Sequence, residues 1–91
     1  MNYLKGWADK RIAAGDAATE AGKNPRFGDV VDFDPPLAGN HALSGRREVF
    51  HLPERGRGLI TVGDEEDSWG VKPEDWRRAC EERGYLVERG P

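Results

Sequence analysis

Asp64-Glu65-Glu66-Asp67-Ser68-Trp69-Gly70-Val71-Lys72-Pro73-Glu74-Asp75-Trp76 decides how this chain is read. Six carboxylates and two indoles fall within thirteen residues, with Lys72 as the one cation among them. Asp64 to Asp67 is too charged for a buried element and reads as a loop. Trp69 to Lys72 suits a short strand. Pro73 suits the first position of a helix, where its missing N–H costs nothing. Glu74 and Asp75 then occupy the first turn, where the helix dipole favours acids. Trp76, Ala79, Cys80 and Arg83 follow on one face, so a helix is predicted near 73–83. Gly84 is expected to close it in a left-handed cap.

Outward from this passage the pattern is mostly β. Tyr85-Leu86-Val87 predicts a final strand near 85–88. Leu59-Ile60-Thr61-Val62-Gly63 predicts one near 59–63. Phe50 and Leu52 alternate with Val49 and His51, which predicts one near 46–52. The turn at 53–58 between these two runs contains Gly56 and Gly58 and predicts an antiparallel hairpin. Gly28 to Asp34 predicts the first strand, near 28–34, with Val31 and Phe33 on one face and Val30, Asp32 and Asp34 on the other. Pro35-Pro36 ends it, because neither residue donates a ladder hydrogen bond. Residues 37–45 read as a loop. Residues 2–22 read as a weakly amphipathic helix with Leu4, Trp7, Ala8, Ile12, Gly15, Ala18 and Ala21 on one stripe, ended by Gly22 and Pro25.

The expected fold is α+β: an N-terminal helix, a small twisted antiparallel sheet or partly open small barrel with strands near 28–34, 46–52, 59–63, 69–72 and 85–88, and a helix near 73–83. One domain is expected over 1–91, with the N-terminal helix and linker over 1–24 and a β-rich module over 27–91.

Composition narrows the function classes. The chain has 91 residues, 36% hydrophobic and 34% charged, so its core is small and leaves little room for a deep substrate pocket. Its net charge is −3, whereas binding nucleic acid by charge calls for a basic face. Ten Arg stand against four Lys, which reads as a GC-rich coding bias and a bacterial or phage-like source. One cysteine, Cys80, excludes an internal disulfide and a paired-cysteine zinc site. No apolar run is long enough for a membrane span, and no apolar leader is visible. A cytoplasmic location is therefore expected, in a bacterium or a phage-infected host.

Gly28-Asp29-Val30-Val31-x-Phe33 resembles the first strand of KOW- and Tudor-type small β-barrels, which have the Src-homology-3-like shape. Gly56-x-Gly58-x-Ile60-x-Val62 is similar to their second tight turn and strand, and Val71-Lys72-Pro73-Glu74-Asp75-Trp76 to their short strand and following helical turn. The resemblance covers about residues 27–78. It implies a small barrel, and a family with ribosomal, transcriptional, histone-tail-binding and enzymatic members, so fold alone does not assign a role.

The candidate partner-binding residues are Asp64, Glu65, Glu66, Asp67, Trp69, Glu74 and Asp75. Clustered carboxylates raise the association rate with a basic partner, and tryptophan is enriched among interface anchors. Trp76 is expected in the core, and Trp69 is the better interface candidate, with the exposure of Trp7 and Trp69 left open. A second candidate set is Arg46, Arg47, Arg55 and Arg57 around the hairpin, whose forked guanidinium groups suit phosphate or nucleic acid. Solvated charge at a loop and at a hairpin edge accounts for either set equally well. The acids lack the spacing of a calcium-binding loop. Gly56-Arg57-Gly58 lacks the third glycine and following helix of a dinucleotide loop. His41, His51 and Cys80 show no metal spacing, and Cys80 reads as a small core residue.

No catalytic residue, metal or cofactor is expected. The favoured expectation is a non-catalytic binding protein, an accessory factor of a phage or mobile element that docks on or inhibits a larger protein with a basic surface. One alternative is a nucleic-acid- or ribosome-associated small barrel using the basic hairpin. Another is a structural subunit of a phage particle, for which homo-oligomers are expected.

Overall fold

The computed structural model describes residues 2–54 and 57–91, with side chains from residue 12 onward. Expectations resting on Leu4, Trp7, Ala8, Arg55 and Gly56 therefore lie outside the described residues or side chains. Among the described residues, two α-helices and five strands follow in the order α1 (Asn2–Lys23), β1 (Val30–Phe33), β2 (Gly45–His51), β3 (Ile60–Gly63), β4 (Ser68–Val71), α2 (Pro73–Arg83) and β5 (Gly84–Glu88), with a 3-10 turn at His41–Leu43. The sheet is antiparallel throughout, in the order β4-β3-β2-β1-β5, and it is not closed. β5 returns past three strands to pair with β1, which places the two ends of the β-rich region side by side. This is the expected α+β class.

One face of the sheet makes the core. Val31 and Phe33 on β1, Val49 on β2, Ile60 and Val62 on β3 and Val71 on β4 are all buried. α2 covers them with Trp76, Ala79 and Cys80. Trp76 is fully buried, edge-on to Phe33 at 5.2 Å and 81°. The loop between β1 and β2 also contributes: its 3-10 turn inserts Leu43 into this core, and Ser44 Oγ pins the loop by donating to the Asn40 carbonyl and accepting from the Leu37 N–H. α1 packs on α2 and along β5.

Two glycines do something other than expected. Gly22 does not end α1, which runs on to Lys23. A Cβ at Gly22 would lie 2.7 Å from Cys80 Cβ and 3.2 Å from Arg77 Cα, so this glycine lets the two helices touch. Gly84 takes an extended conformation, φ −85 and ψ 144, in place of the expected left-handed cap. Its N–H still caps Cys80, but the chain turns straight into β5, and a Cβ there would sit 2.7 Å from the Cys80 carbonyl oxygen. Ile12, expected on the apolar stripe of α1, is 64% exposed, whereas Ala18 and Ala21 are buried as expected.

β1 begins at Val30 because Gly28 and Asp29 form a bulge. The Gly28 N–H donates to the Val49 carbonyl and the Val49 N–H to the Asp29 carbonyl, so two residues oppose one, with Gly28 at φ 89. The bulge turns Asp29 inward. There its carboxylate is wholly buried, paired with Arg89 at 2.6 Å, and accepts the N–H groups of Arg26 and Gly90. Arg89 also donates to the Asn24 carbonyl. One carboxylate thus joins the end of α1, the start of β1 and the segment after β5. Among the described residues, no helix is long and apolar enough to cross a membrane.

Candidate functional site

The acidic segment is a four-residue hairpin loop between β3 and β4. The Asp64 N–H donates to the Asp67 carbonyl, and Asp64 Oδ1 accepts the N–H groups of Glu66 and Asp67. Asp64 is therefore the residue that shapes the turn. These two backbone donors, with the Arg47 guanidinium beside it, hold its carboxyl below the usual carboxylate range despite a small opposing desolvation. Glu65, Glu66 and Asp67 are exposed.

The exposure of Trp69, open from the sequence, is intermediate in the structure. The residue pairs with Val62 across β3–β4, on the core side of the sheet. The Arg47 guanidinium lies 4.8 Å from its ring centroid. Arg47 also pairs with Asp64 at 3.3 Å and donates to the His41 carbonyl. The indole is thus the base of a stack that ties the hairpin to the β1–β2 loop.

The seven candidate acidic and aromatic residues do not share one surface. Glu74 and Asp75 open α2, at the far end of β4 from the hairpin. Four strand residues at about 3.3 Å each put roughly 13 Å between the two groups. Asp75 lines a second groove, of about 650 Å³, with Leu37, Leu59 and Val71.

The basic set is divided as well. Arg46 and Arg47 lie inside β2, so they point to opposite faces. Arg47 serves the acidic hairpin, Arg46 stands on the open face opposite Asp32, and Arg57 is exposed in the β2–β3 connection.

What the acidic hairpin does border is the uncovered face of the sheet. A groove of about 680 Å³ lies there. Its apolar floor is Val30, Phe50 and Val87, contributed by β1, β2 and β5. Glu65 and Glu66 form one wall, and Glu48 and Glu88 rise from the sheet. Register explains this arrangement. Val30 pairs with Glu48 on one side and Glu88 on the other, so two carboxylates flank one valine. Glu48 also pairs with Gly63, which offers no side chain, and Phe50 leans into that space. Arg46 at the next position along β2 is the groove's one cation among the described residues.

Sequence reasoning missed Glu48, Glu88, Val30 and Phe50 as a group. The alternation that put Val30 and Asp32 opposite Val31 and Phe33 was the available signal. It lacked the strand order that brings β5 beside β1.

The remaining polar groups are set by structure. The Cys80 thiol is buried and its pKa pushed up to about 12, chiefly by desolvation and then by the charge of Asp29, so it is not a nucleophile near neutrality. His41 and His51 are both exposed, apart from the buried thiol. Among the described residues, no three metal-ligating side chains gather. Trp76 Nε1 is buried without a hydrogen-bond partner among the described residues. Compared with protein-family models, with curated proteins and with solved structures, the chain matches none.

Proposed function

We propose that this chain is a small, non-catalytic binding protein that engages a larger partner through the open face of its sheet, with a basic region of the partner set against the acidic hairpin. The observation that carries this reading is the groove itself: an apolar floor surrounded by five carboxylates, Glu48, Asp64, Glu65, Glu66 and Glu88, and one arginine. Val30 is already buried at the bottom of the groove, whereas Val87, 47% exposed, and the partly exposed Phe50 gain from burial, and the carboxylates select a cationic occupant and speed its approach. The proposed setting is that of an accessory factor of a phage or mobile element, inhibiting or redirecting a host protein; the arginine-rich composition bears on a bacterial or phage-like source and not on the role.

The test is capture from a bacterial lysate on the immobilised protein at low and at high salt, set against a Glu65→Gln/Glu66→Gln variant. Asp64 stays in place because it builds the turn. Recovery of a specific partner is expected to fall in the variant and to fall with salt, since exposed charges are screened beyond about 10 Å at 0.1 M salt. Equal recovery of the same partner by both proteins at both salt levels would overturn the acidic-face reading.

A further inference from the structure

The shape of the groove specifies its occupant more closely, and this step rests on the open-face reading above. We propose that the groove takes a linear, extended segment of the partner with the pattern cation, any residue, aliphatic residue, any residue, cation, laid across the strands.

The argument starts from distances fixed by the sheet. From Glu88 on β5, through Val30 on β1 and Phe50 on β2, to the Glu65–Glu66 hairpin that continues β3, the groove crosses three strand-to-strand steps. At about 4.8 Å each these span roughly 14 Å. An extended chain covers about 13 Å in four residues, and its residues i, i+2 and i+4 point the same way. Three side chains directed into the groove therefore meet, in turn, the carboxylate of Glu88, the Val30–Phe50 floor, and the carboxylates of Glu65 and Glu66. The outer two are suited by lysine or arginine and the middle one by an aliphatic side chain.

Concavity argues for a segment over a folded surface. Asp64, Glu65 and Glu66 of the hairpin line the groove together with side chains of β1, β2 and β5, so an occupant that meets both must enter between them. Arg46 fixes the position of the segment. It stands two residues along β2 from Glu48, on the same face. It repels a cation laid along the neighbouring row, next to Asp32 and Tyr85, and so restricts the segment to the row of Glu48, Val30 and Glu88.

Fluorescence anisotropy with labelled peptides tests this. The probe is lysine-serine-leucine-serine-lysine between glycine-serine flanks. Its controls are a peptide of the same composition with the lysines adjacent, and one with serine in place of leucine. The patterned peptide is expected to bind roughly tenfold or more tightly than either control, because one patterned segment satisfies both charged ends and the floor together. A Glu88→Gln variant is expected to remove that advantage, while its unfolding transition shows that it remains folded. Arg46→Gln is expected to let the adjacent-lysine peptide gain on the patterned one.

Equal binding of all three peptides would overturn the pattern and leave only non-specific charge attraction. Binding of none of them, combined with salt-sensitive capture of a lysate partner that depends on Glu65 and Glu66, would overturn the linear segment and leave the open-face reading standing. Failure of both experiments would remove both proposals.

Discussion

The two faces of the sheet use the same backbone for opposite ends. On the face under α2 the inward positions are Val31, Phe33, Val49, Ile60, Val62 and Val71, all buried. On the other, Asp32 stands opposite Arg46, and Glu48 and Glu88 flank Val30. The difference teaches where the folding free energy resides. The covered face supplies the apolar burial. The open face adds only Val30, 7% exposed, to that burial, and it can carry charge at positions where a second layer would forbid it.

The sharpest way to break this comparison is to truncate one aromatic on each face. Trp76→Ala is expected to cost about 3–5 kcal/mol, because the indole is fully buried against Phe33 and its loss leaves a cavity in a small core. Phe50→Ala is expected to cost less, about 1–2 kcal/mol, since that residue is only partly buried. Urea unfolding monitored by circular dichroism measures both. Costs of similar size would mean that the open face is part of the core, and the separation of roles would fail.

A smaller effect, and a sharper one, is expected at the boundary between the faces. Asp29→Ala removes a wholly buried carboxylate that pairs with Arg89 and accepts two N–H groups. Breaking a buried pair from one side typically costs about 3–5 kcal/mol, and the lower end applies because Arg89 can turn toward water. Hydrogen exchange should show protection lost first near Asn24, Gly28 and Gly90, the segments that the carboxylate joins. Uniform loss of protection along the chain would contradict a local latch.

Much of the fold was legible because local chemistry and packing agree. Pro73, the acids after it and the spacing of Trp76, Ala79 and Cys80 mark α2 from Pro73 to Arg83. The strands fall within two residues of their expected bounds. What was not legible depends on contacts distant in the chain. Gly22 and Gly84 read as helix terminators, but their hydrogens are needed where α1 meets Cys80 and where α2 meets Val31. A glycine chosen for close approach looks identical, in sequence, to one chosen for a turn. Asp29 read as part of a strand, and only the bulge at Gly28 aims it inward. The acidic hairpin was visible from its composition. The groove beside it was not, because its floor is assembled from β1, β2 and β5. Trp69 reads as an interface candidate of open exposure, since nothing local announces that Arg47 will cover it.

The smallest expected effect concerns the hairpin that joins the two faces, and it has a defined sign in pH. The folded Asp64 carboxyl titrates below its ordinary value of 3.8, held there by the N–H groups of Asp67 and Glu66 and the charge of Arg47. The ionised form is the one that these groups stabilise. Its contribution is therefore complete above the unfolded value and is lost as pH falls through the lower folded value. In an NMR titration the Glu66 and Asp67 amides should move together, with a midpoint below 3.8. Asp64→Asn should abolish that titration and keep the turn, because an amide oxygen still accepts both bonds. Asp64→Ala should release the turn at every pH. If the two amides instead titrate with a midpoint at or above 3.8, Asp64 is one more solvated acid. The hairpin would then have no built shape with which to wall the groove.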